Sequence, residues 1–148
     1  MRILVHSSLD LRDLMIEARS VLEGLGCSLI LPDLTRYQHI RDELGRHDEF
    51  NDIKHRLARQ NAENVAKCDG LVVINPRHRG IDNYIGGNSF FEMSIAFFLH
   101  KPIFLTNPIP TGLPFTEEVE SFFPVVIGPV RELSSQRWRV YARAAGLR

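Results

Sequence analysis

Short apolar runs and amphipathic stretches alternate along most of the chain. The apolar runs are three or four residues long and rich in β-branched side chains, which is typical of strands buried in a parallel sheet. They lie at Ile3–Val5, Ser28–Leu31, Leu71–Ile74, Pro102–Leu105 and Pro124–Ile127. The pattern predicts five strands.

Helices are predicted between these strands. Asp10 is placed to cap a helix whose apolar residues recur at spacings of three and four as far as Leu25, and Gly26 is placed as its C-terminal cap. Further helices are expected at about 50–66, 89–99 and 132–147, with a short one near 117–122. Residues 33–48 show little periodicity and are expected to form a long connection.

The alternation of strands and helices predicts parallel βαβ units with right-handed crossovers. We therefore expect an α/β fold, in which three α/β/α layers surround a flavodoxin-like, five-stranded parallel sheet of order 2-1-3-4-5. No repeat, low-complexity tract or linker divides residues 1–148. One domain is predicted, ending in a basic helix at about 132–147.

Composition argues against several function classes. The 18 basic and 18 acidic residues balance, so nothing global attracts the chain to nucleic acid or to a membrane surface. The two cysteines lie far apart and are expected to be buried thiols, and the six histidines form no metal-ligand spacing with them. No metal site is expected. A GxGxxG loop, a Walker loop and a serine elbow are all absent from the sequence.

Location and assembly follow from the apolar segments. The first residues lack the layout of a signal peptide, and no apolar run approaches the ~20 residues that span a bilayer. A cytoplasmic protein without a membrane partner is expected. The predicted helix at 89–99 is apolar almost all round, so we expect a second subunit to cover it and predict a homo-oligomer, a dimer or larger.

The segment Tyr84–Glu92 joins the third predicted strand to the next helix. Gly86 and Gly87 allow a tight turn and a close approach to a ligand, and the helix start offers unpaired N–H groups. Glu92 follows among apolar side chains, at the edge where an open α/β sheet binds its ligand. Ser89 and Glu92 also have the spacing of a capping box, in which Glu92 would only stabilise the helix start.

Four stretches of the chain resemble the nucleoside 2-deoxyribosyltransferase-like superfamily, which includes nucleoside deoxyribosyltransferases and nucleotide N-glycosidases. They cover the opening strand–helix–strand unit, an aspartate before the third strand, a Gly-x-Ser-x-x-Glu segment with Ala96 four residues beyond its glutamate, and a Lys-Pro pair. The stretches are 3–32, 67–75, 87–96 and 101–102. The resemblance implies that Glu92 is the catalytic nucleophile.

The chain also departs from this family at named positions. Family transferases carry an aspartate six residues before the nucleophile, and that position here is Gly86. Asp82 is the nearest carboxylate in the same loop and is the candidate for the proton donor. The family glycine before the conserved threonine position is replaced by Asn88.

Several further residues are candidates for substrate contacts. Ser7 and Ser8 follow the first strand at a helix start, and Arg77 follows the third strand, where an arginine fork suits a phosphate. An N-terminal cap and a solvated basic loop explain the same residues equally well. Tyr84 is placed to stack on a base or to pack within its loop. The remaining candidates are the turn residues Gly86, Gly87, Asn88 and Ser89.

The resemblance and the residues together predict an N-glycosidase or N-glycosyltransferase. It would cleave the base–sugar bond of a nucleoside, a deoxynucleoside or a 5′-monophosphate through Glu92, without a cofactor. The alternative is a non-catalytic nucleotide-binding or sensing domain of the same fold, which the missing aspartate at Gly86 favours. A third interpretation is an interaction domain whose buried helix makes a dimer.

Overall fold

A computed structural model describes residues 1–31 and 47–147, apart from the side chains of residues 9 and 47–50. Most of the long connection predicted at 33–48 falls on residues 32–46, which lie outside the described residues.

The described strands form one parallel sheet of five. They are β1 (Arg2–His6), β2 (Ser28–Ile30), β3 (Gly70–Val73), β4 (Ile103–Leu105) and β5 (Val125–Val126). The order across the sheet is β2-β1-β3-β4-β5, which confirms the predicted order. In register, Ile3 of β1 lies between Leu29 and Gly70 of its two neighbours. The carboxyl ends of β1 and β3 therefore meet at the same edge, where neighbouring parallel strands leave a ligand crevice.

The described helices cover both faces of this sheet. They are α1 (Arg12–Gly24), α2 (His47–Lys67), α3 (Gly87–Phe98), α4 (Thr116–Ser121) and α5 (Ser135–Ala144), with short 3-10 turns at Leu9–Leu11 and Val130–Glu132. Gly26 ends α1 as predicted, because its positive φ of 84° lets the amides of Gly26 and Cys27 bond back to Glu23 and Leu22. The predicted cap at Asp10 is wrong, since that residue lies inside the 3-10 turn and α1 starts two residues later.

Two apolar layers hold the sheet between the helices. Alternate residues of a strand point to opposite faces, so Val72 packs with α1 and α5, whereas Leu71 and Val73 pack with α2 and α3. Trp138 and Phe104 meet at the centre of the first layer, with ring centroids 5.3 Å apart. Burying each such side chain contributes roughly 1.5–3 kcal/mol. These layers fix α3 against β3 and β4.

Helix α3 has a buried inner face and an exposed aromatic outer face. Ser89, Glu92, Met93 and Ala96 are buried. On the outer face Phe98 is 79% exposed, and Phe91 and Phe97 are nearly half exposed. The second subunit expected over this helix stays a prediction. Across the described residues, we find no helix with both the length and the apolar character to cross a bilayer.

Candidate active site

Four buried polar side chains gather where β1 ends and α3 begins. His6 and Ser7 come from the end of β1, and Ser89 and Glu92 from the first two turns of α3. Glu92 is the most enclosed, with 1% of its surface exposed. The sheet order places these two segments side by side, although they are far apart in sequence. Buried polar groups are costly unless they are hydrogen-bonded, so their partners decide what the cluster does.

Three of these side chains lie in contact in a row, with a hydrogen bond between Ser89 and His6 and a polar contact between His6 and Glu92. Ser89 Oγ lies 2.9 Å from His6 Nδ1, and His6 Nε2 lies 3.2 Å from Glu92 Oε1. Glu92 Oε2 is buried and has no hydrogen-bond partner among the described residues. One carboxyl oxygen therefore contacts His6, and the other has no partner among the described residues.

Burial shifts the two titratable groups in opposite directions. Removal from water raises the pKa of Glu92 to about 8 and lowers the pKa of His6 to about 4. At neutral pH the pair is therefore uncharged, with its one proton on Glu92. In this state the neutral ring of His6 can carry its proton on Nδ1, next to Ser89 Oγ, with Nε2 available to accept a proton from Glu92.

The capping-box interpretation of Glu92 is wrong. Helix α3 begins at Gly87 with Gly86 as its N-cap, so Ser89 and Glu92 are its third and sixth residues. A capping box needs the N-cap and the third residue instead. The carboxyl group contacts His6 on another element, and helix capping does not explain its position.

The predicted proton donor lies on the protein surface. Asp82 Oδ1 pairs with Arg77 Nη1 at 3.1 Å, and these side chains are 73% and 70% exposed. No hydrogen bond or ion pair among the described residues joins Asp82 to Glu92. The structure thus brings two candidate residues to each other and leaves both outside the buried cluster.

The two serines after β1 differ in their surroundings. Ser7 is buried beside His6, and its hydroxyl donates to the carbonyl of Ser8 at 2.9 Å. Ser8 is half-buried and precedes the 3-10 turn without capping it through its side chain.

The turn before α3 is shaped by Tyr84. Its ring lies over Gly86, where an added Cβ would stand 3.4 Å from Tyr84 Cε1. The same ring makes an edge contact with His78, with centroids 5.4 Å apart. Tyr84 therefore lies next to the position where the family carries its aspartate. Gly87 and Asn88 are exposed at the helix start.

Asn75 ties together the loops that leave β3 and β4. Its amide nitrogen donates to the carbonyls of Asn83, Asn107 and Pro108, and its oxygen accepts the Asn107 amide at 2.8 Å. The side chain is fully buried. Sequence reasoning missed its role, although a polar residue directly after the apolar run of β3 was the available signal.

Sequence reasoning also missed His6, because no local motif marks a single histidine at a strand end. Its position as the last residue of β1, next to Ser7, marks it as an edge residue. Once the strand order is known, this edge is also where α3 starts.

A cavity of about 190 Å³ lies at the same sheet edge, on the side of α1. It is enclosed by α1, the ends of β3 and β4, and the turn at Val130–Glu132. None of the predicted site residues is among the described residues that line it. Glu92 therefore does not open onto this cavity.

Comparisons with known proteins identify the fold. No protein-family model matches the chain, and no curated protein matches its sequence. A solved 2-deoxyribosyltransferase from the psychrotolerant bacterium Bacillus psychrosaccharolyticus matches with a TM-score of 0.50 and 17% identity, over 87% of this chain and 98% of that one. A CMP N-glycosidase from Clostridium botulinum matches with a TM-score of 0.53 and 11% identity, over 95% of this chain and 99% of that one. At these identities the likeness shows the fold, and at the level of the fold it agrees with the resemblance found in the sequence.

Proposed function

We propose that this protein cleaves the N-glycosidic bond of a nucleoside or a nucleoside 5′-monophosphate, with Glu92 as the nucleophile. The observation that carries the proposal is the carboxyl group of Glu92 at the carboxyl edge of the sheet, with Oε1 3.2 Å from His6 Nε2 and Oε2 without a hydrogen-bond partner among the described residues. Capping does not explain this costly arrangement. The fold, which is shared with a deoxyribosyltransferase and a nucleotide N-glycosidase, supports the same conclusion.

The chemistry is a double displacement at the anomeric carbon. An oxygen of Glu92 attacks that carbon as the base departs with a proton, and a glycosyl ester forms. Water then hydrolyses the ester, or a second base accepts the sugar. Neither step requires a cofactor.

Substrate access requires the carboxyl edge to open. Glu92 is 1% exposed, so a sugar reaches it only after neighbouring residues have moved, and the loop at 76–86 is the segment we expect to move. The loop at 76–86 leads directly into α3 and is tied to the protein by Asp10, which bonds to His78 and Arg79 at 3.2 Å each. Such partly exposed ion pairs typically contribute only about 0–1 kcal/mol. The end of the loop next to α3 is held more firmly, because Ile85 is buried in the apolar layer and Asn75 donates to the Asn83 carbonyl.

A phosphate on the substrate would meet the start of α3 and the end of β1. The N–H groups at Gly87 and Asn88 begin a twelve-residue helix, and Arg77 lies in the loop that precedes it. Ser7 and Ser8 follow His6, whose ring is hydrogen-bonded to Ser89 of that helix. Helix N-termini and arginine forks both favour phosphate. We therefore propose that a 5′-monophosphate is preferred to the free nucleoside.

The test measures, by chromatography, the free base released from matched nucleosides and 5′-monophosphates. We expect kcat/KM to be at least about tenfold higher for the monophosphate, because one charge-assisted hydrogen bond contributes roughly 1.5–3 kcal/mol. Arg77→Met should reduce this preference. Arg19→Met is the matched control, since Arg19 is an exposed arginine paired with Glu23 on α1. Equal kcat/KM for both substrate classes in the wild type would contradict the phosphate preference.

A non-catalytic nucleotide-binding or sensing domain is the second candidate. Two observations favour it: Glu92 is enclosed, and Asp82 pairs with Arg77 instead of reaching the cluster. Under this function the same ligands would raise the melting temperature without any release of base.

Assembly and location complete the proposal. The exposed aromatic face of α3, which carries Phe91, Phe97 and Phe98, is proposed to pack against a second copy of the chain. A cytoplasmic location remains part of the prediction, because nucleotides are found in that compartment.

A further inference from the structure

The buried side chains of Ser89, His6 and Glu92 lie in a row. Its ends are one turn apart on α3, and the imidazole that joins them comes from β1, 83 residues away from Ser89 in sequence. All three residues are less than 5% exposed. Each end uses a different ring nitrogen of His6, so the ring connects the serine hydroxyl to the carboxyl group.

We propose that His6 and Ser89 carry the proton of Glu92 to the departing base. This inference rests on the proposed function, since it needs Glu92 to be the nucleophile. It assigns the proton donor that neither Gly86 nor the surface residue Asp82 supplies. No second carboxylic acid is then required.

The step balances in atoms and protons. Glu92 gives its proton to Nε2 of His6, and the resulting carboxylate forms the C–O bond to the anomeric carbon. The C–N bond breaks with its electron pair on the base nitrogen. Nδ1–H of His6 passes its proton to Ser89 Oγ, and the Ser89 hydroxyl proton moves to the nitrogen of the departing base. The products are a glycosyl ester, a neutral base and a neutral His6 with its proton now on Nε2.

Hydrolysis of the ester runs the same chain backwards. Water attacks the anomeric carbon and loses a proton to Ser89, while Nδ1 of His6 takes up the serine proton. Nε2–H then returns a proton to Glu92 as the carboxylate leaves. The site ends as it began, with one proton on the pair.

The pH dependence of base release separates this relay from a simple ionised nucleophile. Burial is the cause of both pKa shifts, and no charged side chain of β1, α3 or the loop at 76–86 contributes to either. The pair therefore keeps one proton from pH about 4 to about 8. With the relay, kcat/KM is flat in this interval and falls about tenfold per unit above it, because the proton is lost. If Glu92 must instead ionise before it reacts, kcat/KM rises with pH up to about pH 8.

The test compares two leaving groups in Ser89→Ala. One substrate carries an ordinary base, whereas a 4-nitrophenyl glycoside of the same sugar releases a phenolate that needs no proton. We expect Ser89→Ala to lower base release at least about 100-fold, the usual contribution of a general acid. The rate of nitrophenol release should differ less than about threefold between Ser89→Ala and the wild type. For this substrate kcat/KM should not fall at alkaline pH, because its leaving group needs no proton.

Two further variants control for structure. Ser89→Thr retains the hydroxyl and should retain most base release. Ser94→Ala removes a serine of the same helix, whose hydroxyl donates to the Phe90 carbonyl, and should leave both rates unchanged. Melting temperatures of all variants check that each has folded.

The outcomes are distinguishable. If Ser89→Ala lowers both rates equally, or lowers neither, the relay is overturned and Ser89 has a structural role. If the wild type releases neither base nor nitrophenol, the proposed function itself has failed. Only selective loss of base release, with restoration by threonine, supports the relay.

Discussion

Glu92→Gln is expected to abolish base release. The amide has nearly the shape of the carboxyl group, and its nitrogen can still donate to Nε2 of His6, so the buried cluster and the fold should survive. It has no oxygen able to form a stable ester with the sugar. Because loss of a nucleophile removes the reaction path itself, kcat/KM should fall by on the order of 10⁴-fold or more.

This prediction has a matched control on the surface. Glu63→Gln removes an exposed glutamate of α2 that pairs with Lys67, and base release should remain within about twofold of the wild type. Steady-state rates of both variants, with ligand binding followed by thermal shift, give the comparison. If Glu92→Gln retains more than about a tenth of the wild-type kcat/KM, Glu92 is not the nucleophile.

The second large effect is on the pH dependence of stability. Burial raises the pKa of Glu92 from 4.5 to about 8 and lowers that of His6 from 6.5 to about 4. Between pH 6.5 and 8 the folded pair keeps a proton that the unfolded chain has lost. The free energy of unfolding therefore falls as the pH rises through this interval, by roughly 2 kcal/mol.

Below this interval the two groups offset each other. From pH 4.5 to 6.5 the folded pair holds one proton on Glu92, and the unfolded chain holds one on His6. The number of bound protons does not change on unfolding, so this pair adds no pH dependence there.

Glu92→Gln should invert this pattern. The alkaline decline disappears, because the amide does not titrate. Below pH 6.5 the unfolded chain still protonates His6 whereas the folded chain does not, so stability falls on acidification to pH 4.5 by about 2–3 kcal/mol. Urea unfolding of both proteins at pH 5, 6.5 and 8 measures the difference, in which other titrating groups cancel. Parallel curves for the two proteins would show that Glu92 does not hold the proton.

The architecture was predictable because its signals are local. Apolar runs of strand length, separated by amphipathic stretches, indicate a parallel sheet, and Gly26 has the conformation its position predicts. Element ends were less predictable. The last helix was expected from about 132, but a 3-10 turn occupies Val130–Glu132 and Ser134 caps α5 by accepting the Arg137 amide.

The site was only partly predictable, because its contacts are long-range. Glu92 was found through the family resemblance, but its capping alternative failed because α3 starts earlier, at Gly87. The partner His6 depends on the sheet order, which brings the end of β1 to the start of α3. The pairing of Arg77 with Asp82 is a side-chain choice within an exposed loop, and no sequence pattern specifies it.

The most direct test of Glu92 as the nucleophile is the mass of the protein from an acid-quenched reaction. Fluorine at C2′ of the substrate slows both formation and hydrolysis of the ester, because it destabilises their positively charged transition states. An activated leaving group restores the rate of formation alone, so the ester accumulates. We predict one added glycosyl mass on the wild-type protein, located by digestion on the peptide that contains Glu92 and absent from Glu92→Gln. Release of the leaving group with no adduct on that peptide, or an adduct on another residue, would contradict the account.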